Sequence, residues 1–149
     1  SGWNAKELSK MPTYYIMNKN QTMADTVLDN MPSQKEIEAC SWLTEEEIKI
    51  YSKEYTRTTF QGGLNWYRAS VDFENLKSLS KFKDNKIKVP SIFISGKNDW
   101  GIYQKPGSIE QMKKANINFK GIHLIKNAGH WVQQEKPIEV AEKILSFLS

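Results

Sequence analysis

The sequence lacks most of the features that would place it in a specialised class. It has a single cysteine, Cys40, so no internal disulfide can form, and a reducing, cytoplasmic setting is the expectation. Cys40 also falls in the middle of an apparent helix, a poor place for a nucleophile. No apolar run approaches the ~18 residues of a membrane span. Two histidines and one cysteine show no metal-ligand spacing. A dinucleotide fingerprint and a phosphate loop are both absent, and so is any Gly-x-Ser-x-Gly or His-Gly pattern. A net charge of +4 is too small to argue for nucleic acid. The densest basic stretch, Lys81 to Lys88, is interrupted by Asp84 and reads as a solvated linker. The start, Ser1-Gly2-Trp3-Asn4, has neither an initiator Met nor a signal-peptide pattern and reads as a cut end or tag scar.

What is present is an ordinary globular composition, 39% hydrophobic and 26% charged over 149 residues, enough for about one domain with one core. The first half reads as helical. Ser33 to Glu36 and Thr44 to Glu47 both fit the capping box, in which hydroxyl and carboxyl satisfy orphan backbone amides reciprocally. Leu43 and Ile48 add a hydrophobic staple to the second. From Thr44 the helix carries Ile48, Tyr51 and Tyr55 on one face and is expected to end near Gly62-Gly63. Leu64 to Arg68 opens another helical piece, and Leu76, Leu79 and Phe82 continue an apolar stripe.

At Pro90 the pattern becomes α/β. Ser91 to Ser95 is a β-branched and aromatic run bounded by Pro90 and Gly96. Ser108 with Gln111 begins a helix running to about Asn116, and Gly121 to Ile125 is a second strand. Strand, crossover helix and strand make a parallel βαβ unit with a right-handed connection. Pro137 at a first helical turn, followed by Ile138, Ala141, Ile144, Leu145 and Leu148, gives a closing amphipathic helix. Parallel strands normally sit in sheets covered on both faces, so two of them alone read as the end of a larger sheet with open edges.

In parallel α/β sheets, functional groups gather just beyond the carboxyl ends of the strands. Asp99, in Gly96-Lys97-Asn98-Asp99, lies beyond the first strand. His130, in Asn127-Ala128-Gly129-His130-Trp131, lies beyond the second, on the same rim. An imidazole there can take a proton from water while the carboxylate holds its other nitrogen. Taken singly, an Asp after a strand is most often a turn former or helix cap, and a lone His most often structural. Their matched placement favours acid and base, in the chain order of α/β-hydrolases. His123, inside the second strand, reads as a packed or partly exposed residue.

Trp42 to Glu47 and then Phe60-Gln61-Gly62-Gly63-Leu64-Asn65-Trp66-Tyr67-Arg68 resemble the cap domain of soluble epoxide hydrolases of the α/β-hydrolase superfamily. Val89 to Asp99 and Gly129 to Pro137 resemble the last two core strands of that family. The likeness runs from about Trp42 to the end. It implies the C-terminal part of an α/β-hydrolase fold, with residues 1–80 as helical cap and 81–149 as core. It also implies a cofactor-free reaction on a small apolar epoxide. In that reaction a carboxylate nucleophile opens the epoxide to an ester, and His with its acid partner activates water to cleave it. Two cap tyrosines donate to the epoxide oxygen. By position in the motif Tyr67 matches one of them, and its other reading is a cap-core aromatic. Tyr14 and Tyr15 are available for the second, but neither aligns with it and both read as packing. Trp131 reads as apolar pocket wall, and Trp66 and Trp100 read equally well as core.

The pattern departs from the family at one point. The nucleophile Asp should precede the cap on a strand-turn-helix elbow, yet Asp25 and Asp29 fall in a helical stretch with no strand before them. The expectation is therefore a chain inactive by itself. Its N-terminal hydrolase half would be a separate polypeptide or one lost by truncation. Two other readings stand beside it. One is another hydrolase on this scaffold, such as a haloalkane dehalogenase or an esterase. The other is a non-catalytic fragment that self-associates through its exposed strand edges.

Overall fold

The computed structural model describes residues 17–149. Tyr14, Tyr15 and the Ser1-Gly2-Trp3-Asn4 start lie outside them.

Five helices come first, α1 (Met23–Asp29), α2 (Gln34–Ala39), α3 (Glu45–Thr58), α4 (Gln61–Val71) and α5 (Phe73–Ser80). Capping boxes open three of them. Thr22, Ser33 and Thr44 each accept an N–H from the third helical residue, whose carboxylate returns to the cap amide. Those hydrogen bonds hold the carboxyls of Asp25, Glu36 and Glu47 below the usual carboxylate range. Cys40 is the residue that ends α2 rather than its middle.

The helix from Thr44 stops earlier than its glycines suggested. Thr59 caps α3 with φ 58°, and Gly62-Gly63 lie inside the first turn of α4. The cause is the hydroxyl-rich end Thr56 to Thr59. Thr56 and Thr58 turn their hydroxyls back to the carbonyls of Ser52 and Glu54, which loosens the last turn. α4 then starts without a side-chain cap. Arg68 compensates by bridging Gln61 Oε1 and Asn65 Oδ1, both at 2.8 Å, along one helix face.

The second half is the βαβ unit. β1 (Ser91–Gly96) pairs in parallel with β2 (Phe119–Ile125), and a 3-10 turn (Trp100–Tyr103) and α6 (Ser108–Ala115) make the crossover. β2 begins two residues before the Gly121 expected. A register shift between Ser91 and Ile92 is absorbed at Gly121, whose φ of 153° an L side chain rarely adopts. A further parallel bridge joins Ile87 to Asn116 ahead of the strands. After β2 come a short helix, α7 (Val132–Glu135), and the closing helix α8 (Pro137–Leu148).

The buried apolar cluster is small: Ile125, Ala128, Val132 and Val140, with Ile94 packed against it. α8 therefore turns Val140 inward, not the Ile138, Leu145 and Leu148 stripe, which stays exposed. The helix has apolar residues on more than one side, and the sheet face beneath it selects the side that pairs with Ile125. Trp66, expected as core, is 78% exposed, and the stripe Leu76, Leu79 and Phe82 is exposed as well. Both outer edges of the two-stranded sheet are unpaired among the described residues, the Ile87 bridge extending the pairing between the two strands.

Candidate active site

Asp99 is set by the turn that ends β1. Its Oδ1 accepts the Gly101 N–H at 2.7 Å, capping the 3-10 turn, and its Oδ2 accepts the Ser95 hydroxyl at 3.1 Å. Ser95 itself is buried. These bonds fix the carboxylate, whose side chain is only 12% exposed, while Oδ1 also meets His130 Nδ1 at 3.2 Å. Asp99 is thus the helix cap that a lone Asp after a strand suggests, and the partner of the histidine as well. A carboxylate only accepts, so Nδ1–H donates and a neutral ring keeps its lone pair on Nε2. Nε2 carries no hydrogen bond among the described residues. The His130 side chain is 57% exposed.

The two loops meet because Gly96 lets them. Its Cα faces the carbonyls of Ala128 and Gly129 so closely that an added Cβ would fall 2.5 Å from the Ala128 carbonyl carbon. Lys97 N–H donates to Ile125 O at 2.7 Å and Asn98 N–H to Ala128 O at 2.9 Å, stitching one strand end to the other. Asn127 takes a left-handed turn, φ 54°, to send the chain back across the rim.

Glu135 completes the loop, and sequence reasoning did not single it out. From α7 its carboxylate accepts the Gly129 N–H at 2.7 Å and the Trp131 N–H at 3.0 Å, one residue on either side of His130. The signal was present in the spacing, since an acid four residues after Trp131 can fold back onto the start of its own helix.

A cavity of about 600 Å³ lies beside the pair, with Phe93, Ile94, Ile102, Met112 and Val132 supplying apolar wall and Asp99 and His130 lining it. Trp131, expected as pocket wall, is half-exposed and packs edge-on against the His130 ring, 5.3 Å between centroids at 79°. It does not line this cavity. Tyr67 sits on α4, 71% exposed, with no hydrogen bond to its hydroxyl among the described residues, and it too lies outside the cavity lining. The helical half does reach the segment that follows His130 at Tyr51, whose hydroxyl accepts from Gln134 Nε2 at 2.6 Å. His123 is half-buried within β2. Asp25 is held by the Thr22 amide and hydroxyl, so its carboxylate is engaged in capping.

No family model matches the chain. It is 36% identical over 129 residues to "Epoxide hydrolase A" of Mycobacterium tuberculosis, a match covering 84% of this chain and 37% of that protein. "Bifunctional epoxide hydrolase 2" of Mus musculus is 33% identical over 136 residues, 91% of this chain and 23% of its own length. Among solved structures, epoxide hydrolase I of potato (Solanum tuberosum) superposes with a TM-score of 0.70 at 28% identity, covering 88% of this chain and 40% of that one. The epoxide hydrolase of Vigna radiata gives 0.65 at 26% identity over 72% of this chain and 36% of its own. The chain therefore spans well under half the length of each of these relatives.

Proposed function

We propose, for a chain that belongs to the epoxide hydrolase family of the α/β-hydrolase superfamily and corresponds to the C-terminal part of that fold, that it supplies the ester-cleaving half of epoxide hydrolysis. Residues 1–80 act as the cap and 81–149 as the end of the core. The observation that carries this reading is the 3.2 Å contact of His130 Nδ1 with Asp99 Oδ1 at the ends of adjacent parallel strands. A nucleophilic Asp from an N-terminal half attacks the less hindered epoxide carbon, and the C–O bond breaks to leave an ester and an alkoxide. Tyr67 donates a hydrogen bond to that oxygen as charge develops. Water then attacks the ester carbonyl, giving its proton to His130 Nε2. Asp99 steadies the imidazolium. Collapse of the tetrahedral intermediate breaks the ester C–O bond, and the departing oxygen takes the proton back from His130. The proton that leaves the restored carboxyl group balances, through solvent, the one taken up by the first alkoxide as the diol forms. The reaction needs no cofactor, and the substrate is a small apolar epoxide suited to the apolar wall of the adjoining cavity.

The N-terminal half is either a separate chain or a segment ahead of this one, and these 149 residues by themselves do not form the ester. A cytoplasmic setting fits the lone Cys40. No helix among the described residues is long and apolar enough to cross a membrane. The test is turnover of a styrene-type epoxide by this chain alone and by this chain joined to the N-terminal half of a relative. Diol formation only in the joined protein is expected. Efficient hydrolysis by the chain alone would sink the missing-nucleophile reading, and haloalkane or ester turnover in its place would move the site to the other hydrolase classes.

A second reading has its own observation. The strand edges, unpaired among the described residues, and the exposed Trp66, Val71, Phe73 and Leu79 leave apolar surface that a second copy of the chain can cover. Sedimentation equilibrium separates the cases, since a concentration-independent monomer excludes this association.

A further inference from the structure

We infer that Glu135 is the positioning residue for His130, a role that rests on reading His130 as the base. The ring has little else to aim it. Its side chain is more than half exposed, and among the described residues its polar and ring contacts are the Asp99 hydrogen bond and the edge of Trp131. The direction of the imidazole is therefore set by the backbone from Gly129 to Trp131. Upstream that backbone is anchored: Ala128 is buried and its carbonyl accepts from Asn98. From the Gly129 amide to the Trp131 amide, the hydrogen-bond partner among the described residues is Glu135. One carboxylate oxygen takes the Gly129 N–H and the other takes the Trp131 N–H, so the two amides flanking the base share a single carboxylate.

The carboxylate is in turn placed by the turn that follows. Trp131 O accepts the backbone N–H groups of Gln134 at 2.8 Å and Glu135 at 2.9 Å, folding α7 back over the loop. The result is a closed ring of hydrogen bonds, Gly129 to Glu135 to Trp131 and back, with His130 at its apex. A glutamine in this place cannot reproduce it. Its amide offers one accepting oxygen, and its NH₂ would face an N–H that also needs an acceptor. Glutamate at this position thus acts through the backbone, without touching substrate, to keep Nδ1 over Asp99 Oδ1 and to leave Nε2 directed at the rim.

The test is solution NMR of the full chain with two variants, E135Q and the shorter E135D. In the unaltered chain, amide exchange at Gly129 and Trp131 is slow, and a hydrogen-bonded His130 Nδ1–H proton correlates with its ring nitrogen. E135Q is expected to speed exchange at one or both amides by about tenfold, the worth of one lost charge-assisted bond. It is also expected to abolish or broaden the His130 Nδ1–H signal while the amide spectrum of β1 stays unchanged. E135D keeps the charge with less reach and gives a graded form of the same loss, which decides the matter if E135Q fails to fold. A merely structural brace would speed exchange at the two amides and leave the His130 proton where it was, and that result overturns the proposal. Because the readout is the histidine itself, failure of epoxide turnover counts against the functional reading and not against this one.

Discussion

Gly96→Ala is the most direct challenge to the way the acid and base loops are joined. The added Cβ meets main-chain atoms only, the Ala128 and Gly129 carbonyls, and its 2.5 Å approach to the Ala128 carbonyl carbon is nearly an ångström inside ordinary contact. No side chain can swing away, so the rim must open. Opening it costs the Lys97 to Ile125 and Asn98 to Ala128 hydrogen bonds, about 1 kcal/mol each net. Residual overpacking adds ~2 kcal/mol. Against this, alanine restricts the unfolded chain and returns about 0.7 kcal/mol. The net loss is about 3 kcal/mol. With a urea slope of ~1.5 kcal/mol per molar, the midpoint falls by about 2 M. The assay is urea unfolding followed at the amides of β1 and β2, with Gly63→Ala as control. Gly63 lies in α4 with open space around it, so the same change there should stabilise the helix by up to ~1 kcal/mol. A G96A midpoint within about 0.3 M of the unaltered chain would refute the close-approach argument.

Other expectations concern the chemistry and the helical half. In the chain joined to its nucleophile half, D99N should slow ester cleavage by roughly 10²- to 10⁴-fold with ester formation largely intact, so that single-turnover mass spectrometry traps the alkylated protein. Y67F should instead slow ester formation, by about 10²-fold for one lost donor to a developing oxyanion, read as the burst rate. For the capping boxes, Asp25, Glu36 and Glu47 have carboxyls lowered by their Thr and Ser partners. Their support is complete above the unfolded carboxylate value of ~4.3 and disappears as pH falls through the lower folded value. Circular dichroism at 222 nm should therefore lose helix signal below about pH 4, with E47Q showing part of that loss already at pH 7. An acid-insensitive signal would mean the boxes do not support these helices in solution.

The elements legible in the sequence were those whose cause is local. Val89 to Asp99 carries its strand in β-branched residues and its turn in Gly96. Thr44 and Glu47 state a helix start in two side chains, and Pro137 states another. What was not legible depended on which groups meet across the chain. Gly62-Gly63 looked like a stop, because nothing in the sequence says that Thr56 and Thr58 turn back on their own helix first. The inward face of α8 could not be chosen between Val140 and the Ile138 stripe without knowing that Ile125 lies beneath it. At the candidate site, strand position led to the expectation that Asp99 and His130 share one rim, and the two meet there at 3.2 Å. Ser95 and Glu135 were not singled out, since each acts on a group brought near by folding: the Asp99 carboxylate for one, two backbone amides for the other.

On the proposed reading, acid and base are held by backbone geometry that any hydrolase of this scaffold can use. Gly96 sets their separation, Gly101 N–H and Ser95 set the carboxylate, and Glu135 spans the amides around the base. On that reading none of these groups would distinguish an epoxide from an ester or a haloalkane, because all would serve a step, water attack on an acyl carbon, that several reactions share. The distinguishing group has to contact the leaving oxygen, and the candidate for that is Tyr67 on α4. Its hydroxyl is unbonded among the described residues and outside the cavity beside His130. On the proposed reading, the reaction class hinges on bringing α4 to that cavity. The hydrogen bond from Gln134 to Tyr51 is a point where the helical half already engages the segment that follows His130. If Y51F leaves the joined enzyme's ester-formation rate untouched while Y67F lowers it, Tyr67 reaches the substrate without that tether. If both lower it together, the tether helps hold the cap over the site.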